Sequence, residues 1–294
     1  MRKNCSSILL AGVLIFAFGC REKRTTLSPE ISETHGSFDI SQAMTMLYGN
    51  FDPKKQASTA SIPKGNDGNS TRSSEEEMTI RPLFHALSGV DGAQTFVLLT
   101  YAVPRGDETY YCHSCAPTIG MAVFLQEGLK WKMDAANRAA ADAGEFGKPP
   151  TDIELVQIGP KHQAAKISSV GGGQGETTAV LLILVPWDGT VNLSLERIVA
   201  DDNKGSCGPK ASLPCYANRR SVNFLRDDAA EYYQLALTLT GTDLEDSDAP
   251  SSTRARKVHG LETLKFENGK YVQVSRHGDL TSLDRDVAER EGLK

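Results

Sequence analysis

The chain has 294 residues, of which 32 are basic and 37 acidic, for a net charge of -5; 39% are hydrophobic and 39 are glycine or proline. That length supports one large or two small domains with a real core, and the composition excludes a disordered polyelectrolyte, a collagen-like fibre and a coiled coil. An acidic balance offers no global positive field to a nucleic-acid backbone, so nucleic acid is not an expected partner.

The first twenty residues read MRKNCSSILLAGVLIFAFGC, with Arg2 and Lys3 ahead of an apolar run at 8–18. Such a run spans only about half of a ~30 Å hydrocarbon core, which is the pattern of an export signal and not of a membrane-spanning helix. Ala17-Phe18-Gly19-Cys20 resembles the lipobox of bacterial lipoproteins. The resemblance implies that residues 1–19 are removed, that Cys20 is acylated, and that the chain is anchored to a membrane by lipid. Arg21, Lys23 and Arg24 follow Cys20 directly, where they can lie against anionic headgroups. Arg21 at the second position resembles the outer-membrane sorting pattern, which implies an outer-membrane anchor with the protein facing the periplasm.

Residues 20–77 read as the lipidated cysteine, a polar tether, a short helix and a linker. Asp39 is placed to cap a helix at 40–48, where Ile40, Met44 and Leu47 share one face and Gly49 stops it. The stretch 53–77 is nearly free of apolar residues and reads as a flexible linker or long surface loop, because it has little surface to bury against its ordering entropy.

After Met78 the pattern changes to short β-prone runs. Strands are expected at 79–86, 95–103, 120–126, 129–133, 153–158, 163–170, 177–186, 191–199, 221–225, 232–240, 261–267 and 270–274. Glu127-Gly128 and Asn268-Gly269 are two-residue hairpin signals, and Trp187-Asp188-Gly189 marks another turn. The Ala-rich segment 135–143 reads as a possible short helix, and 283–292 as a frayed terminal one. The fold class expected is all-β, built of antiparallel hairpins and meanders in a propeller-like or sandwich arrangement over 78–276, with a charged tail at 277–294. Trp131, Trp187, Phe124 and Phe266 read as core anchors in preference to ligand stackers.

Export would leave four cysteines beyond the lipidated one, Cys112, Cys115, Cys207 and Cys215. An even number in an oxidising compartment favours two disulfides. Three pairings are possible, and the local ones, Cys112 with Cys115 and Cys207 with Cys215, are preferred because each closes a short loop. A zinc site on all four cysteines and a redox site at Cys112-His113-Ser114-Cys115 are the alternatives.

The hairpin segments 124–131 (FLQEGLKW) and 264–271 (LKFENGKY) share an apolar strand, a glycine turn, a lysine and an aromatic. They resemble hairpins of periplasmic propeller-like lipoproteins, including lysozyme inhibitors and immunity proteins. That resemblance implies a protein partner in the envelope, engaged by a loop in the cleft of a cell-wall hydrolase.

Motifs of catalysis are sparse. There is no Gly-x-Ser-x-Gly elbow and no His-Glu-x-x-His site, and residues 171–176 (GGGQGE) lack the lysine of a phosphate loop and read as a glycine-rich hairpin. The six histidines, His35, His85, His113, His162, His259 and His277, show no metal-ligand spacing. Asp201, Asp202 and Asn203 are weak candidates for calcium. The expectation is a lipid-anchored periplasmic binding protein without catalytic residues or cofactor. The alternatives are a thiol-disulfide or metal-dependent envelope enzyme centred on Cys112 and Cys115, and a structural envelope lipoprotein.

Overall fold

The computed structural model describes residues 38–63, 75–90, 93–106, 112, 115–208, 213–245, 254–281 and 284. Cys20 and the export signal, His35 and His113 lie outside the described residues, as does nearly all of the terminal segment 283–292. Among the described residues the fold is all-β, with thirteen strands and one helix, α1 (Ile40–Tyr48). No helix among them is long and apolar enough to cross a membrane.

The helix starts where the sequence places it. Asp39 Oδ1 accepts from the Gln42 amide at 2.9 Å, and Gln42 Oε1 accepts from the Asp39 amide at 3.0 Å. This reciprocal pair satisfies two amides that the first turn leaves without partners. Gly49, at φ 79°, ends the helix in the left-handed region.

The strands form three antiparallel meanders. The first comprises β1 (Ser58–Pro63), β2 (Glu75–Val90), β3 (Ala93–Pro104), β4 (Thr118–Glu127) and β5 (Lys130–Asp142). The second comprises β6 (Asp152–Gln157), β7 (Gln163–Gly173), β8 (Glu176–Trp187) and β9 (Thr190–Asp202). The third comprises β10 (Ala217–Leu225), β11 (Gln234–Leu244), β12 (Ala255–Glu267) and β13 (Lys270–Gly278). β9 joins all three: it pairs with β8 along its length, with β10 at Ala200–Asp202, and with β5 through one parallel bridge, Thr190 to Ala136.

Strand alternation then sorts the side chains into stacked layers. Phe96 and Leu98 of β3 face α1, in a core with Met44, Leu47, Ile80 and Phe124. Their neighbours Val97 and Leu99 face the opposite way and pack with Met121, Val123, Ala135, Ile167, Leu182 and Leu184. Leu181, Ile183 and Val185 of β8 face the third meander, against Leu235, Leu237, Leu264, Phe266 and Tyr271. The result is helix, sheet, sheet and sheet, with the first two meanders buried on both faces. That explains the uninterrupted runs 96–99 (FVLL) and 180–185 (VLLILV), since a strand covered on both sides has no polar face to show.

Two local expectations are corrected. The Ala-rich segment 135–143 is not helical; through Asp142 it is the second half of β5, paired with β4 from Val123 to Thr118. Alanine's helix preference is a few tenths of a kcal/mol per residue and is outweighed by the ladder and by burial. Small side chains are also what the position requires, because Ala135, Ala140 and Ala143 sit in the core between two sheets. Within 53–77, residues Ser58–Pro63 form β1 and β2 begins at Glu75, so both ends of the stretch read as linker belong to the first sheet.

Phe124 is fully buried and lies 5.2 Å, centroid to centroid, from Phe38 and 6.4 Å from Phe96. Phe124→Ala is expected to cost about 3–5 kcal/mol of stability; chemical denaturation of both proteins measures it, and a loss below about 1 kcal/mol would contradict this packing.

Candidate functional site

The first and second meanders do not meet along their full length. Beyond the closed packing of Leu99, Ile119 and Leu184 the two sheets part, and a cleft of about 680 Å³ opens between them. Val97, Met121, Val123 and Ala135 form its floor and continue directly into the core. Thr95 and Leu125, paired across β3 and β4, mark the outer end of the first sheet. The facing wall is made by Leu155 of β6, Lys161 and His162 of the β6–β7 turn with Gln163 at the start of β7, Pro186 and Trp187 at the end of β8 with the β8–β9 turn at 188–189, and Tyr232.

The β8–β9 turn is fixed by its sequence and its neighbour. Asp188 and Gly189, at φ 51° and 75°, supply the two positive φ angles of a tight hairpin turn. Thr190, immediately after it, bridges to Ala136, so the turn is held against β5 and Asp188 and Asp134 both line the cleft. Trp187 packs against the third core and lines the cleft as well. Its indole lies over the β12–β13 turn, where only a glycine fits: a Cβ on Gly269 would stand 3.1 Å from the ring and 2.6 Å from Asn192 Nδ2.

On the other side of the wall runs an aromatic column. The His162 ring stacks on Tyr232 at 4.2 Å, Tyr232 stacks on Phe266 at 4.1 Å, and Phe266 meets Tyr271 edge-on at 5.4 Å. Burial lowers the His162 pKa, and Glu231, 3.7 Å from Nε2, partly opposes that shift. Among the described residues no hydroxyl or thiol hydrogen-bonds to its ring.

The sites expected from sequence lie elsewhere. The cysteines pair at disulfide distance as preferred, Cys112 with Cys115 and Cys207 with Cys215, with Cα separations of 5.3 and 5.0 Å. Asp201 and Asn203 are buried and face the polar groups of neighbouring strands: Thr178 and Tyr216 bond to the Asp201 carboxylate, which burial pushes towards a higher pKa. Asn203 Oδ1 accepts from the Tyr216 amide at 2.8 Å and its Nδ2 donates to Pro214 O at 3.0 Å, organising the loop that the Cys207–Cys215 pair closes. Asp202 instead faces Lys204 at 3.7 Å. Among the described residues no group of three or more His, Cys, Asp or Glu is placed to hold a metal. The two alike hairpin turns have unlike surroundings, for Leu129 beside the first is 70% exposed while Gly269 in the second is packed beneath Trp187.

Trp131, Phe124 and Phe266 are core residues, as their sequence context suggests, with Trp131 stacked on Phe38 at 4.7 Å. Trp187 is both a core and a cleft residue. Asp134, Lys161, His162 and Tyr232 were not legible as a site, because they come from separate elements with no common spacing. No family model, curated protein or solved structure matches this chain.

The folded pKa of His162 lies below the 6.5 of an unperturbed imidazole. Its contribution to stability is therefore complete above about pH 6.5 and is lost as pH falls from there through the folded pKa. Glu231→Gln removes the opposing carboxylate and is expected to lower that pKa further. Titration of the imidazole by NMR checks both points, and a pKa above 6.5 in the unmodified protein would refute the burial of the ring.

Proposed function

We propose that the chain is a lipid-anchored binding protein of the bacterial envelope, facing the periplasm, that holds a small ligand with an apolar body in the cleft between its first two sheets. The observation that carries the reading is the cleft itself. Its volume falls in the range of small-molecule sites, and its floor is a continuation of the hydrophobic core bounded by a few polar groups. A sheet backed on its other face by α1 supplies that floor, so the site is preformed and needs little ordering on binding.

The anchoring half of the proposal rests on the lipobox-like Cys20 and on the two cysteine pairs, which fit an oxidising compartment. Lipid on Cys20 and a tether of some seventeen residues before Phe38 would present the cleft close to a membrane without inserting the domain. The cleft then stands within reach of envelope amphiphiles. The aromatic column and Trp187 supply flat apolar surface, while His162, Gln163 and Thr95 offer hydrogen bonds at the edge.

Anchoring is tested by following the protein in membrane and soluble fractions: Cys20→Ser is expected to abolish labelling by palmitate and release the chain from membranes, and unchanged labelling would refute lipidation at Cys20. Binding is tested with the lipid-free Cys20→Ser chain and the neutral dye N-phenyl-1-naphthylamine. Its fluorescence should rise saturably on binding, and adding Thr95→Trp, which fills the cleft mouth, should weaken binding about tenfold at an unchanged melting temperature. A dye that does not bind, or binds equally in both proteins, would refute the cleft as the site.

A further inference from the structure

Resting on the cleft as the binding site, we infer that the ligand it is built to take carries a single positive charge on an apolar body. The inference comes from where charge and aromatic faces stand around the mouth.

Two carboxylates line the cleft, Asp134 from β5 and Asp188 from the β8–β9 turn, and both are exposed to it. Neither has a hydrogen-bonding or ion-pairing partner for its carboxylate among the described residues. Lys161, the one lysine among the described residues that line the cleft, is already engaged within the protein. Burial lowers the His162 pKa and so disfavours its charged form. Glu231 stands just behind it, 3.7 Å from the imidazole, and adds a further negative charge near the mouth.

The aromatic groups point the same way. Trp187 precedes Asp188 directly and lines the same opening; Tyr232 lines it from the opposite side, with its two faces taken by His162 and Phe266, so the indole is the aromatic surface offered. Aromatic faces attract a cation through their quadrupole, and the attraction grows when the cation is partly removed from water. A carboxylate beside an indole is thus a complementary seat for an ammonium head, with Val97, Met121, Val123 and Leu125 beneath to take the apolar body. An anionic amphiphile would meet the two unpaired carboxylates and lose by repulsion what its chain gains.

The experiment displaces N-phenyl-1-naphthylamine from the lipid-free Cys20→Ser chain with three twelve-carbon probes below their micellar concentrations: dodecyltrimethylammonium, dodecanol and dodecanoate. The cation is expected to bind about tenfold tighter than the alcohol, and the carboxylate weaker than either. Asp134→Asn with Asp188→Asn should bring the ratio of cation to alcohol close to one, and added salt should narrow it in the parent protein. Equal affinities for cation and alcohol, or tightest binding of dodecanoate, would overturn the inference while leaving the cleft as a binding site. A preference for the cation that survives the double substitution would overturn it too, since the charge would then be read elsewhere. Failure of the dye and all three probes to bind would refute the cleft reading itself.

Discussion

The ladder of β9 is the constraint on which the other layers depend. A strand has two edges whose backbone groups must be satisfied, and β9 spends one on β8 and divides the other between β5 at its start and β10 at its end. Three meanders are thereby tied into one thirteen-stranded sheet. The bridge from Thr190 to Ala136, beside which Asn137 Nδ2 donates to Val191 O at 3.0 Å, ties the start of β9 to the first meander. Because it sits directly after the β8–β9 turn, it places that turn at the mouth of the cleft.

Burial on both faces is what makes the cleft possible. Where the two sheets touch, Leu99, Ile119, Ile167 and Leu184 interdigitate as in any closed core. The sheets twist, and with twist two packed sheets diverge away from their line of closest approach. On the diverging side the first sheet still presents Val97, Met121 and Val123, while the second offers Leu155, the ends of β7 and β8 and their turns, with Tyr232 beside them. The apolar floor is a core surface whose covering layer has moved away. Its rigidity comes from α1 on the far side, where Phe96, Leu98 and Phe124 are held against Met44 and Leu47.

Two buried polar groups among the described residues lie where elements meet. Tyr48, its hydroxyl 2.7 Å from Thr100 Oγ1, is pushed up to about pKa 12 by burial and stays neutral under the α1 end. Glu262 is buried between the second and third meanders, where Arg197 lies 3.4 Å away and Arg276 3.2 Å. Such a pair of arginines on one carboxylate compensates its desolvation, and breaking it would leave an unpaired buried charge. The cleft differs from these seams in that its carboxylates carry no such compensation.

Much of the fold was legible in the sequence, because its causes are local. Alternation such as Leu235, Leu237 and Leu239, glycine at turn positions and the Asp39 cap act over a few residues and announce themselves as patterns. The short loops closed by Cys112–Cys115 and Cys207–Cys215 were legible for the same reason. The Ala-rich half of β5 was not, because its local helix preference is overridden by the ladder with β4 and by the need for small side chains between two sheets. The cleft was invisible because its parts are not local: Val97, Asp134, His162, Asp188 and Tyr232 belong to five separate segments, brought to one opening by contacts such as the Thr190–Ala136 bridge and the stacking of Tyr232 between His162 and Phe266. The sequence by itself thus determined most of the strands, their turns and the helix cap, since these follow from neighbouring residues; β1 and the Ala-rich half of β5 did not announce themselves. The tertiary structure alone decided the layering and the site, since both depend on which faces meet and where they part.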